Sequence, residues 1–257
     1  MRPISLLYHD VVLPGNPDAS GFSGGDAAIY KLDLAEFQRH LGSIQPAISK
    51  STRPVRLTFD DGGASAHSLI AGLLEAFGWR GYFFVTTNWI GKNGFLNEHE
   101  IRDLRRRGHL IGSHSCSHPP RMSHGSYTEI CREWKNSIAR LSEILGEPVT
   151  LASVPGGYYT RKVGAAAAEA GIRTLFTSEP VTSSHSVNGC LVAGRYAIQR
   201  GTSAATAASM ASGAIAPRCR QWVFWNMKKV AKSVGGNQWL RMRKWVLRGS
   251  EGLAARE

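Results

Sequence analysis

A regular alternation of short β-branched and aromatic runs with stretches of helical periodicity sets the fold class. Residues 4–9, 55–60, 81–87, 110–114, 149–155, 174–178 and 191–196 have the length and composition of strands. Helical patterns fall at residues 33–41, 66–77, 97–107, 126–145 and 160–170. In the fourth, Ile130, Trp134, Ile138, Leu141 and Leu145 share one face. Asn97 followed by Glu100 reads as a capping box, and Gly171 is a helix stop. Strand–helix alternation implies a parallel sheet, and seven such strands suit a barrel better than an open sheet. Polar residues cluster where these strands end: His9, Asp60-Asp61, Thr86-Thr87, His114, Pro155-Gly156 and Ser178-Glu179. In α/β barrels that rim carries the chemistry.

Two segments on the rim carry chemistry. Asp60 and Asp61 leave a strand and enter the turn Gly62-Gly63. Two carboxylates this close repel, and a cation would relieve the repulsion. For a lone DDG, a turn with an N-capping aspartate before the next helix is the better reading, as two surface or core histidines are for a lone HxxxH. His114 and His118 are four residues apart, a spacing that puts both imidazoles on one side. Two histidines and one carboxylate form a common catalytic ligand set that leaves coordination positions open. With both segments at strand ends, the metal reading is favoured.

Residues 1–200 resemble the NodB-like polysaccharide deacetylases, also called carbohydrate esterase family four. The resemblance is carried by Thr58-Phe59-Asp60-Asp61-Gly62, Gly81-Tyr82-Phe83-Phe84-Val85, the run from Gly108 to Pro119 containing His114-Ser115-Cys116-Ser117-His118-Pro119, and Pro155-Gly156-Gly157. It implies a distorted (β/α)7 barrel over residues 1–201. It also implies a divalent metal, Zn before Co or Ni, held by Asp61, His114 and His118. Asp60 is then the general base. Backbone N–H groups around Pro155, Gly156 and Tyr158 would face the oxyanion or substrate. The implied reaction is removal of acetyl from N-acetylated sugars of a polysaccharide or lipid-linked glycan precursor, in exopolysaccharide biosynthesis.

The match departs from the family in two ways. Members take an acid from a leucine-rich, LLxxH-type motif late in the domain, but residues 186–257 contain no histidine. The N-terminal Leu6-Leu7-Tyr8-His9 is matched to that motif instead, as in permuted deacetylases, which makes His9 the general acid. The alternative is a core histidine at a strand end. Second, Ser153-Val154-Pro155 stands where the family has an RxP-type arginine paired with the catalytic Asp, and the later Asp-rich motif is absent. Losing both charges together leaves no buried charge unpaired; Glu179 and Arg195 are the nearby residues able to substitute. A non-catalytic glycan-binding protein on the same scaffold and an O-acetyl esterase are the alternative functions.

Residues 202–257 read as a low-complexity linker followed by a basic, Trp-rich helical tail. Of the chain's net charge of +12, residues 217–257 hold ten Lys or Arg against two Glu. Residues 218–248 interleave Trp222, Trp225, Trp239 and Trp245 with basic residues. That pattern suits an anionic membrane surface, or a terminal helix packing its Trp residues on the barrel. No nucleic-acid-binding signature is present, so nucleic acid is not an expected partner. The first apolar run is too short for a signal peptide, no stretch is long enough to span a bilayer, and the four cysteines lack CxxC spacing. A cytoplasmic, reduced protein is expected, membrane-associated if the tail takes the first of its two roles.

Overall fold

The computed structural model describes residues 2–49 and 51–227. In chain order the strands are β1 (Ile4–Tyr8), β2 (Val11–Val12), β3 (Leu32–Asp33), β4 (Val55–Phe59), β5 (Gly81–Val85), β6 (Leu110–Ser113), β7 (Leu151–Ser153), β8 (Thr174–Phe176), β9 (Ser184–Val187), β10 (Cys190–Ala193) and β11 (Tyr196–Ala197). The α-helices are α1 (Gly25–Ala28), α2 (Leu34–Ser49), α3 (Ala71–Ala76), α4 (Glu98–Arg106), α5 (Tyr127–Leu145), α6 (Arg161–Glu169) and α7 (Ala204–Ala211). One large sheet has the order β11-β1-β4-β5-β6-β7-β8-β10-β9. Its pairs are parallel except β10 with β9. All seven expected strands are present, and they form the unbroken parallel row from β1 to β10.

The expected strand 191–196 divides into β10 and β11, with only Gly194 and Arg195 between them. Yet β10 pairs with β8, whereas β11 pairs with β1 at the far end of the order. Three peptide steps reach at most about 11 Å, so the sheet must curl until its two sides are close. The chain itself bridges this seam of the half-barrel, where no ladder of hydrogen bonds does. Gly194 is required there: a Cβ would lie 2.3 Å from the Glu179 carbonyl oxygen and 2.6 Å from Val181.

Strand register then places the rim. Tyr8 is level with Phe59, Phe59 with Phe83, Val85 with Ser113 and Ser113 with Ala152. The residues that follow, His9, Asp60 and His114, therefore emerge on one edge of the sheet. The same register stacks Tyr8 on Phe59 and Phe59 on Phe83, with centroids 5.6 and 5.1 Å apart and rings 25° from parallel. Phe37 of α2 meets Tyr8 edge-on at 5.5 Å. Stacked rings on neighbouring strands add to area burial and hold β1, β4 and β5 level beneath the site.

The helices close the outside of the sheet. Both α4 and α5 begin with complete capping boxes, at Asn97/Glu100 and Ser126/Glu129. Gly146 ends α5 at φ 68°. α2 runs to Ser49, past the expected end at residue 41, despite Gly42 and the internal Pro46. Phe37, Leu41 and Ile44 are buried on one face of it, and that packing outweighs the local propensity cost. The expected helix 66–77 opens with a π-helical segment, Ala66–Ile70, before α3. The small residues of 204–211 form α7, capped by Ser203, with Ala207, Met210 and Ala211 in the main core. That stretch therefore belongs to the compact unit, which runs to Arg218.

Residues from Cys219 onward form a second unit, of which 219–227 are described and helical. Trp239, Trp245 and the tail's basic residues from Lys228 lie outside the described residues. Among the described residues no helix is long and apolar enough to cross a membrane, and all four cysteines are free.

Two buried histidines give the fold a pH dependence. His109 Nδ1 accepts from the Gly81 N–H at 3.0 Å, and its Nε2–H donates to Glu75 at 2.9 Å. His40 Nε2–H donates to the Thr202 carbonyl at 2.7 Å, and Nδ1 faces the Tyr8 hydroxyl at 3.3 Å. Burial lowers both pKa values, only partly offset by Glu75 and by the Thr202 carbonyl, respectively. The unfolded chain therefore binds more protons just below pH 6.5, so stability rises with pH through that window and is lost as pH falls below about 6.5. Denaturant midpoints between pH 5 and 8 should drop on the acid side, and His109→Gln should flatten that drop. An equal drop in the variant would remove His109 from this role.

Candidate active site

Asp61, His114 and His118 each present one ligand atom, and the three atoms lie within 4.8 Å of one another. Asp61 Oδ1 is 3.4 Å from Nε2 of both histidines. It is buried and has no hydrogen-bond partner. Ligands bound at about 2.1 Å in tetrahedral geometry sit about 3.4 Å apart, beyond the usual hydrogen-bond range. His114 Nδ1–H donates to the Ser153 carbonyl at 3.0 Å, which leaves Nε2 facing Asp61. Such a bond from the far nitrogen is the usual support of a metal-bound histidine. The residues present fit a divalent metal.

The backbone is strained at this place. Among the described residues the non-glycines at positive φ are Asp61 (77°), Ser115 (64°), His118 (57°) and Asn188 (48°). Three of the four belong to the ligand segments. Each costs about 1–3 kcal/mol and persists only where the surroundings impose it. For Asp61 the brace is Asp10, which accepts from Ser20 Oγ at 2.6 Å and Ser65 Oγ at 2.8 Å. Asp10 presses on the turn so closely that a Cβ on Gly63 would lie 1.9 Å from its Oδ1.

Asp60 lies beside the ligand set, its Oδ2 3.9 Å from His114 Nε2. Ser153 stands at the family's arginine position, and of the two residues able to substitute, Arg195 and Glu179, it is Arg195 whose side chain meets Asp60. Arg195, fully buried at the seam between β10 and β11, forms a fork on Asp60. Nη1–H donates to Oδ1 at 2.7 Å and Nη2–H to Oδ2 at 2.8 Å. The other donors reach Thr58 Oγ1 (3.1 Å), Ser153 Oγ (2.6 Å) and the Thr177 carbonyl (3.1 Å). A guanidinium has five N–H donors, and all five are used. Ser153 also donates to Asp60 at 2.9 Å. The small side chain at 153 leaves the room that the guanidinium fills from the opposite side. Glu179 contributes its backbone carbonyl, which accepts the Arg195 N–H.

The electrostatics follow from this arrangement. Burial raises the Asp60 carboxyl, but the Arg195 and His114 charges outweigh it and hold Asp60 below the usual carboxylate range. Burial likewise raises Asp61, and His114, His9 and His118 bring it down. His114 is raised: burial lowers it, but Asp60 and Asp61 prevail. His118 is lowered to about 4 by burial and by the His114 charge, so its ring is neutral and able to ligate at neutral pH.

His9 follows β1 onto the same rim, where the Asp60 N–H donates to the carbonyl of the preceding Tyr8 at 3.1 Å. The His9 ring lies 4.6 Å from that of Tyr30, and its buried Nδ1 has no partner. The leucine pair precedes His9 by one residue fewer than in an LLxxH motif. Its place here comes from β1 lying between β11 and β4. Pro155–Gly157 form a single turn after β7, with Gly156 at φ 64°. A Cβ on Gly156 would come within 3.1 Å of the Pro120 carbonyl oxygen, two residues beyond His118. Tyr158 packs beside Arg121 and His124. Phe22 leans on His118 at 4.8 Å and on Trp89 and Phe95 at 4.9 and 5.1 Å, so an aromatic wall borders the ligands.

The family model for polysaccharide deacetylases matches residues 47–175, half of the chain. The chain belongs to the polysaccharide deacetylase family. It is 37% identical over 75 residues to a chitin deacetylase of Colletotrichum lindemuthianum, covering 28% of this chain and 30% of that protein. It spans about half the length, or less, of the curated relatives it matches. The Streptococcus pyogenes deacetylase PplD, solved with acetate, superposes with a TM-score of 0.65 at 19% identity, over 79% of this chain and 95% of that one. A de-N-acetylase from Aggregatibacter actinomycetemcomitans superposes at 0.54 with 18% identity, over 69% and 88%. At these identities the two structures establish the shared fold.

Proposed function

We propose that this deacetylase-family chain is a metal-dependent hydrolase that removes acetyl groups from N-acetylated sugars of a glycan. The observation that carries the reading is the Asp61, His114 and His118 set, whose ligand atoms converge within 4.8 Å, with the Arg195-held Asp60 against it. When bound, the metal supplies Lewis acidity, which polarises the acetyl carbonyl and acidifies water. Asp61, His114 and His118 hold it. Asp60, kept ionised by Arg195, takes the proton from the attacking water. His9 protonates the departing amine, the general-acid role an imidazole can fill. The turn at Pro155, Gly156 and Tyr158 lines the oxyanion side, and the Phe22–Trp89–Phe95 wall offers an apolar face to a sugar ring.

A chitin deacetylase and a de-N-acetylase among the similar proteins support an amide over an ester substrate. Zinc is the metal that fits the nitrogen-rich ligand set. A lipid-linked exopolysaccharide precursor would suit the basic tail, and sedimentation with anionic vesicles would check it. The main experiment is acetate release from N-acetylhexosamine oligomers by the whole chain loaded with Zn²⁺ or Co²⁺. Release is expected, with loss on chelation, and Zn²⁺ at about 100 times its Kd should stabilise the fold by about 2.7 kcal/mol. Neither release nor metal-linked stabilisation would leave the glycan-binding alternative, in which glycan affinity survives Asp60→Asn.

A further inference from the structure

Both histidine ligands sit on one loop, residues 114–118, which follows β6 and in which Ser115 and His118 hold positive φ. α5 grips this loop from one face. Glu133 and Ser137 are one helical turn apart and point the same way. Glu133 Oε2 accepts from the Cys116 N–H and the Ser117 N–H, each at 2.9 Å, and Oε1 accepts from the Ser117 hydroxyl at 2.8 Å. The Glu133 carbonyl also faces Cys116 Sγ at 3.3 Å. Ser137 Oγ is 2.6 Å from Ser113 Oγ, which accepts the Ser115 N–H at 3.0 Å. On the opposite side, the Thr87 and Asn88 N–H groups donate to the Ser115 and Cys116 carbonyls at 3.1 and 3.0 Å.

The loop is thus held from both sides, and two successive N–H groups just before His118 converge on one carboxylate. A nest of consecutive backbone donors binds an anion well, and a charged acceptor strengthens each bond. Glu133 is no ligand itself, since Asp61, His114 and His118 are the cluster that converges. The geometry points to Glu133 as a positioning residue that fixes His118 relative to His114 before a metal binds. This rests on the metal reading of the site. Glu133 couples the helix to both N–H groups before His118 while Ser137 braces Ser113, so the metal affinity of the site is set partly from α5.

The test compares wild type, Glu133→Ala, Glu133→Asp, Glu133→Gln and the exposed control Glu143→Ala. Zn²⁺ affinity is measured by competition with a chelator, and the visible spectrum of the Co²⁺ form is recorded. Glu133→Ala is expected to lower affinity by about 10–100-fold and to alter the Co²⁺ spectrum. Glu133→Gln should stay within about threefold, because its amide oxygen can accept both N–H groups and its amide N–H can donate to Ser117. Glu143→Ala should leave both readouts unchanged. Amide exchange of Cys116 and Ser117 in the metal-free chain should quicken at least about tenfold in Glu133→Ala. If Glu133→Ala fails to fold, Glu133→Asp, one methylene too short to span both N–H groups, carries the comparison. Wild type that takes up no metal would end the metal reading and this role together. Wild type that binds metal while Glu133→Ala or Glu133→Asp binds it as tightly would end the positioning role alone.

Discussion

Asp60→Asn is expected to reduce acetate release by about 10²–10⁴-fold, the usual worth of a positioned general base, while Zn²⁺ uptake persists. The ligand atoms all belong to Asp61, His114 and His118, and none is removed. Asparagine keeps one acceptor for the Arg195 fork but turns an N–H₂ toward the second Nη donor, which donates to Oδ2 in the native pair. The variant should therefore also unfold at a lower temperature, since a fully buried guanidinium loses its counter-charge. Acetate release and zinc content measured on the same preparation separate the two effects. Release at the wild-type rate would exclude Asp60 as the base.

The second large effect is expected at Arg195. Removing it leaves Asp60 as a buried charge without a partner, a loss of about 3–5 kcal/mol. For a chain of this size that lowers Tm by roughly 6–20 °C. Arg195→Lys should recover little, because one ammonium has three donors on a single nitrogen where five acceptors surround a planar fork. Ser153→Arg introduced into Arg195→Ala should recover more, since it returns a guanidinium from β7 to the same carboxylate. Calorimetry on the three variants checks the order. A Tm within about 2 °C of wild type for Arg195→Ala would show that Asp60 does not depend on this pair.

The legible features share a short range. Strand runs, capping boxes and the DDG and HxxxH segments each span a few residues, and their physics is complete within that span. The capping box of α4 needs only Asn97 and Glu100. The end of α2 was not legible, because Gly42 and Pro46 argue for a stop and only the packing of Phe37, Leu41 and Ile44 argues against it. The alanine- and serine-rich look of residues 202–216 left a linker and a weak helix equally open for the same reason: small residues signal a linker until a neighbouring helix shows why they must be small.

The residue types at the rim, and the order in which the strands deliver them, are properties of the chain read in one dimension. They are enough to single out Asp60, Asp61, His114 and His118, since each adjacent pair of chemical groups lies within five residues. They name Arg195 and Glu179 as able to substitute for the family's arginine, but not which of them meets Asp60. Arg195 is 135 residues away, in a run that reads as one continuous strand. It reaches the carboxylate because Gly194 lets the chain cross the seam of a curled sheet, and because Ser153 is small enough to leave the space. Closure of the half-barrel is a global property of sheet twist and packing, so the partner it delivers has no local signature.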